Sequence, residues 1–190
     1  MEKVKYGLKI YTDFKESEIK ERTRIINIDE AKHLEIKEEN FENDFLSHII
    51  INLNVAEASV KFIGRYRAEK SLCDISCVIN HKADYTKSEI DIKGIAEAEG
   101  KIISRSNIFV DEDVKGAEGE EKVKFIFVVK EGGEAGEIDA IPNLDINSHD
   151  VKVSHALSIS KIKETDIWYA NLHSFDEKES EVFFKENFLN

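Results

Sequence analysis

Short segments in which apolar and polar residues alternate recur along most of this chain, and they constrain its fold more than any other feature. In residues 88–93, Ile90 and Ile92 fall on one face, whereas Glu89 and Asp91 fall on the other. A period of two residues is typical of a half-buried β-strand and not of a helix. The pattern predicts strands at residues 5–11, 24–28, 33–36, 49–54, 59–63, 71–79, 88–92, 101–103, 121–129 and 137–146.

Many short strands are compatible with a sandwich, a barrel or a β-solenoid. The sequence contains no strict repeat, and it lacks the Asn-Gly and Asp-Gly pairs that mark two-residue hairpins. The absence of these pairs disfavours a tight meander. Periodicity alone leaves the choice among the other arrangements open.

The C-terminal residues carry a helical pattern instead. A first short amphipathic helix is predicted from the spacing of Ile167, Trp168, Ala170 and Leu172. A second begins at Asp176, an N-cap residue with an acidic residue three positions on. Its apolar stripe contains Val182, Phe183, Phe184, Phe188 and Leu189. Helices this short are marginal alone, so we expect them to dock on another surface.

Charge and hydropathy exclude two classes of partner. The chain has 27 Lys and Arg against 39 Asp and Glu, a net charge of -12. Such an acidic protein is poorly suited to neutralise nucleic-acid phosphates. No apolar run approaches the roughly 20 residues that span a bilayer, and no signal-like segment opens the sequence. We therefore expect a cytoplasmic protein without nucleic-acid or membrane partners.

The two cysteines, Cys73 and Cys77, lie on the same face of a predicted strand as Ile75 and Ile79. Four residues of strand place their side chains roughly 13 Å apart, too far for one zinc ion or a disulfide. Core packing is therefore the favoured interpretation. Ligation of a metal or cluster is the alternative, and two copies of the chain that meet across a dimer would favour it.

The segment from Glu137 to His155, together with the tail that follows it, carries a specific motif. Two acidic residues at alternate positions precede a Pro-x-Leu-x-Ile run, an Asp-Val-Lys-x-Ser-His run and an aromatic pair. The matching residues are Glu137, Asp139, Pro142, Leu144, Ile146, Asp150, Val151, Lys152, Ser154, His155, Trp168 and Tyr169. This pattern resembles the C-terminal core of the SufB/SufD family of iron–sulfur cluster assembly proteins.

The resemblance implies a mainly β fold, a right-handed parallel β-helix closed by a small C-terminal helical subdomain. We place the β-helix core domain at residues 1–162 and the helical subdomain at residues 163–190. Members of the family are usually longer, so this chain would be a shortened one.

The same resemblance implies a function. The chain would be a non-enzymatic component of the SUF system that engages a SufC-like ABC-type ATPase and pairs with itself or with a SufB/SufD paralogue. His155 matches the interface histidine of the SufD-like branch. A transient iron–sulfur cluster or metal ion would be held by His155, Glu137, Asp139 and Asp150. The ATPase would contact Trp168, Tyr169, Phe183, Phe184 and Phe188.

The chain departs from the family pattern after the first predicted helix, where Leu172-His-Ser174 replaces Ser-Arg-Gly, and at two positions where the family offers ligands. Phe127 stands where SufB-like members carry a cysteine, and Ala156 stands where they carry a glutamate after the histidine. These departures favour an alternative, a β-solenoid interaction module that has lost cluster assembly. A metal-binding protein with another purpose is a third hypothesis, and a simple packed strand residue is the structural alternative for His155.

Residues 121–129 add a prediction about assembly. Phe125 and Phe127 point to one face of the predicted strand, and Ile126 and Val128 point to the other, so both faces are apolar. A solenoid strand needs only one buried face, so the second predicts a partner sheet and hence a homodimer built on the last strands.

Overall fold

The computed structural model describes residues 20–41, 43–129, 135–162 and 177–190. These residues form ten β-strands and one α-helix. The strands are β1 (Lys20–Ile28), β2 (His33–Asn40), β3 (Phe45–Leu53), β4 (Ser59–Glu69), β5 (Leu72–His81), β6 (Lys87–Glu97), β7 (Lys101–Val110), β8 (Ala117–Val128), β9 (Glu137–Ile146) and β10 (Val151–Ile162). The helix is α1 (Glu177–Leu189). The strand expected at residues 5–11 and the helix expected around Trp168 lie outside the described residues.

The strands form two five-stranded sheets in which all neighbours are parallel. One sheet has the order β1-β3-β5-β7-β9 and the other the order β2-β4-β6-β8-β10. The chain therefore alternates between the sheets, and each strand lies beside the strand two before it. This is a β-solenoid, so the predicted mainly β parallel β-helix with a small C-terminal helix is confirmed.

The strand register explains why no strict repeat is visible in the sequence. Phe45 pairs with Cys73, Cys73 with Ile102, and Ile102 with Ile138. The corresponding repeats are 28, 29 and 36 residues long. Because each coil has a different length, no single period aligns them.

The core lies between the two sheets and consists of alternate residues from each strand. Ile51, Ile79 and Ile108 stack in one column of the first sheet, and Phe62 and Ile90 stack in the second. All five are buried. Burial of each such side chain contributes roughly 1.5–3 kcal/mol. Stacked coils, each covering the apolar face of its neighbour, thus form one continuous core.

The outer faces carry polar ladders between coils. Asn52 donates from Nδ2 to Oδ1 of Asn27, and Asn80 donates in the same way to Asn52, each at 2.8 Å. On the second sheet, the Lys61 ammonium lies 2.8 Å from the Glu89 carboxylate. These side-chain bonds reinforce the register that the core sets.

Helix α1 packs on the outer face of the second sheet. Its apolar side chains contact a cluster at the ends of three strands, which consists of Ile95, Ile126, Val128 and Ile162. The contacting residues of α1 are Phe184, Phe188 and Leu189. The expectation that Ile126 and Val128 require a partner sheet is therefore wrong, because a helix of the same chain covers them. This helix, the one described in the chain, is not long and apolar enough to cross a membrane.

Candidate functional site

The candidate site lies on the last coil, which consists of β9 and β10. Each of these strands pairs with one earlier strand, β7 or β8, and no further strand of the described chain covers their other edge. Val151 and Val153 are half-buried against the core. Leu157 and Ile159, on the same face of β10, remain 40% and 43% exposed. The inward face of β10 is thus an apolar surface that is only partly covered.

His155 lies in the middle of this surface. It shares the parity of Val153 and Leu157, and its side chain is exposed. The strand register pairs it with Glu121 of β8, which is the nearest residue of the same parity on the neighbouring coil. The structure therefore places the predicted histidine on an exposed strand at one end of the described β-helix.

Glu121 is a polar residue of the interior that the sequence reasoning did not single out. Its side chain is fully buried, and the Ser106 hydroxyl donates a hydrogen bond to one carboxyl oxygen. The other oxygen has no hydrogen-bond partner in the described part of the chain. Burial raises the pKa of this carboxyl to about 7. The signal was available, because Glu121 has the inward parity of Val123 and Phe125.

The three acidic residues predicted to accompany His155 lie elsewhere in the single chain. Glu137 and Asp139 are exposed on the outward parity of β9, and Glu137 lies 2.7 Å from the Lys101 ammonium. Asp150 is exposed just before β10. Five residues of strand separate it from His155, a distance of roughly 16 Å. Among the described residues, no group of three or more His, Cys, Asp or Glu side chains could hold a metal ion.

The comparison with family models decides the family. The model described as SUF system FeS cluster assembly, SufBD core domain, matches residues 14–188. The chain belongs to the SufBD core domain family. This membership places it in iron–sulfur cluster assembly by the SUF system. A comparison with curated proteins found none that matches.

The two cysteines of this SufBD core domain are buried inside the β-helix. Burial raises the pKa of the Cys73 thiol to about 11 and raises that of Cys77 well above its usual value. Cys73 Sγ accepts a hydrogen bond from Nδ2 of Asn40 at 3.4 Å. A thiolate is the form that binds metal, and both sites disfavour it. The arrangement supports core packing for both residues.

The two ligand positions that depart from the family pattern lie on different faces. Phe127 has the inward parity of β8 and packs, half-buried, against the core. Ala156 is exposed and has the parity opposite to that of His155. A ring therefore fills the position where SufB-like members are expected to offer a thiol, and a methyl group takes the place of the expected acid.

The predicted partner-binding residues divide into two groups. Phe184 and Phe188 pack against the sheet, whereas Phe183 is 49% exposed. Val182, beside it, is also exposed. Trp168 and Tyr169 lie outside the described residues. Of the predicted ATPase contacts, Phe183 is the ring that α1 presents outward.

Proposed function

We propose that this SufBD core domain is a non-catalytic, cytoplasmic SufB/SufD-like scaffold on which an iron–sulfur cluster is held transiently. Its last coil is the assembly surface, and His155 is the residue that contacts iron. It acts with a SufC-like ATPase and pairs with a second copy of itself or with a SufB/SufD paralogue.

One observation carries the proposal. His155 is exposed between apolar residues on the coil that no other strand of the described chain covers. An imidazole nitrogen is a suitable ligand for iron. Leu157 and Ile159 provide the apolar surroundings that a second subunit can bury. A two-fold interface through this coil would bring two copies of His155 towards each other.

A second subunit would also supply the further iron ligands that one chain does not place beside His155. Within one chain, Glu137 and Asp139 lie on the outward face of β9, whereas His155 has the inward parity of β10. Two chains can combine a histidine from one with acidic residues from the other. The tentative set of His155, Glu137, Asp139 and Asp150 is therefore proposed as a site shared between subunits.

Contact with the ATPase is assigned to α1. Val182 and Phe183 form an exposed apolar edge on a helix whose other rings hold it to the sheet. Exposed aromatic residues of this kind are common anchors of protein interfaces. Phe184 and Phe188 support the interface indirectly, because they fix the position of α1.

Anaerobic reconstitution with iron and sulfide tests the assembly role. We expect the wild-type protein to gain visible absorbance of an iron–sulfur cluster and His155→Ala to lose most of it. His149→Ala is the matched control, because His149 is exposed on the loop before β10. Equal absorbance in all three proteins would contradict the role of His155.

The alternative function is a β-solenoid interaction module without cluster assembly. Phe127 and Ala156 favour it, since both replace residues that the family pattern would offer as ligands. In that case the wild-type protein would gain no cluster absorbance but would still bind its protein partners.

A further inference from the structure

Helix α1 is held on the sheet by a buried ion pair and by the packing of Phe184 and Phe188. The Lys185 ammonium lies 2.6 Å from the Glu97 carboxylate at the end of β6. The side chains are 12% and 2% exposed. A carboxylate buried to this extent requires a partner, because an uncompensated buried charge is strongly destabilising.

Each member of this contact also has a second partner on its own side. Glu97 lies 3.1 Å from the Arg67 guanidinium of β4, and Lys185 lies 2.5 Å from Glu181 one turn earlier in α1. If α1 leaves the sheet, the Arg67–Glu97 pair stays with the β-helix and the Glu181–Lys185 pair leaves with the helix. Separation therefore leaves neither Glu97 nor Lys185 without a partner.

The helix also covers the end of β10. Most side chains of β10 are exposed, but Ile162, its last residue, is buried in the cluster that Phe184 and Phe188 contact. Among the described strands, β8 is the one that pairs with β10. The attachment of α1 therefore decides whether the final residue of this edge strand is covered.

We propose that α1 is a releasable clamp on the end of β10, locked by the Lys185–Glu97 ion pair. In the locked state the rings of α1 cover Ile162 and stabilise the edge strand. In the released state the Glu181–Lys185 pair moves away with α1, and the Arg67–Glu97 pair stays on the sheet. Ile162, the last residue of β10, then becomes exposed. The clamp is a property of this fold and does not depend on the proposed cluster or ATPase.

Hydrogen exchange of the native full-length chain tests the clamp. Lys185→Met keeps the apolar stem of the side chain and removes its charge. We expect exchange of the amides of α1 and of the last residues of β10 to become roughly ten- to hundredfold faster, with little change in β4 to β7. Unchanged exchange in α1, or an equal increase throughout the chain, would overturn the proposal.

Two further variants test whether the effect of Lys185→Met comes from the Lys185–Glu97 ion pair or from the loss of any positive charge on the protein. Lys122→Met removes an exposed lysine of the same sheet, which lies 2.8 Å from Glu120, and it should leave the exchange of α1 unchanged. The double variant Glu97→Gln/Lys185→Met removes both charges, and it should recover most of the protection that Lys185→Met loses. A double variant that exchanges as fast as Lys185→Met would show that the ion pair is not the lock.

Discussion

The buried polar residues of this β-helix differ in how fully they are satisfied. The His81 ring contacts the hydroxyls of Thr86 and Ser88 at 2.7 and 2.8 Å. Burial lowers its pKa to about 4, so it stays neutral near pH 7. Glu121 has the hydroxyl of Ser106 and one oxygen without a partner in the described part of the chain. Glu121 is therefore the interior residue at which a change of pH has the clearest consequence.

The stability of the protein should depend on pH through Glu121. Its pKa is about 7 in the folded state, above the value of 4.5 for an ordinary glutamate. A raised pKa means that the folded state favours the protonated form, so this contribution is complete below pH 4.5 and is lost as the pH rises through 7. Glu121→Gln should therefore be more stable than wild type at pH 8, by up to about 3 kcal/mol, and nearly equal to it at pH 4.5.

Urea denaturation of both proteins at several pH values between 4.5 and 8 measures this difference. Glu120→Gln is the control, because Glu120 lies on the exposed face of the same strand and pairs with Lys122. A constant difference between Glu121→Gln and wild type across this range would show that Glu121 has an ordinary pKa in the folded protein.

At the scale of elements, alternation predicted strands well where inward residues are apolar. It failed where inward residues are polar. The prediction for β7 stopped at Ile103, but the strand continues to Val110 because Ser104 and Ser106 also point inward and are buried. An inward-pointing serine interrupts the alternation of apolar and polar residues in the sequence, although it fits between stacked coils as well as a small apolar residue does.

Helix α1 gives a prediction at the same scale. Phe183→Ala should weaken binding to a SufC-like ATPase while leaving the stability of the β-helix unchanged, since this ring is half-exposed. A pull-down with the ATPase, combined with thermal unfolding, measures both effects. We expect at least a fivefold loss of binding, typical of an aromatic interface anchor.

Phe184→Ala is the informative comparison. Its ring packs against the sheet, so its removal should lower stability and release α1 before it affects any partner directly. Binding by Phe183→Ala that equals wild-type binding would place the ATPase contact elsewhere.

For the whole molecule, the residues of the sequence motif fall on the last coil, whereas the residues that lie beside His155 in space could not be derived from the motif. Glu121 is 34 residues away in sequence and becomes a neighbour of His155 only through the parallel register of β8 and β10. Coils of unequal length prevented this register from being predicted. The cover over Ile126 and Val128 was misassigned for a related reason, because the alternation pattern does not distinguish a helix of the same chain from a partner sheet.

The central claim is that the last coil is an association surface. Light scattering at micromolar concentration tests it most directly, with Leu157→Asp as the disrupting variant and Ser158→Asp, on the opposite parity, as the control. We expect wild type and Ser158→Asp to have twice the 21.7 kDa mass of one chain, and Leu157→Asp to have the mass of a monomer. A monomeric wild-type protein would contradict pairing with a second copy, and a Leu157→Asp protein that remains dimeric would contradict the placement of the interface on the last coil.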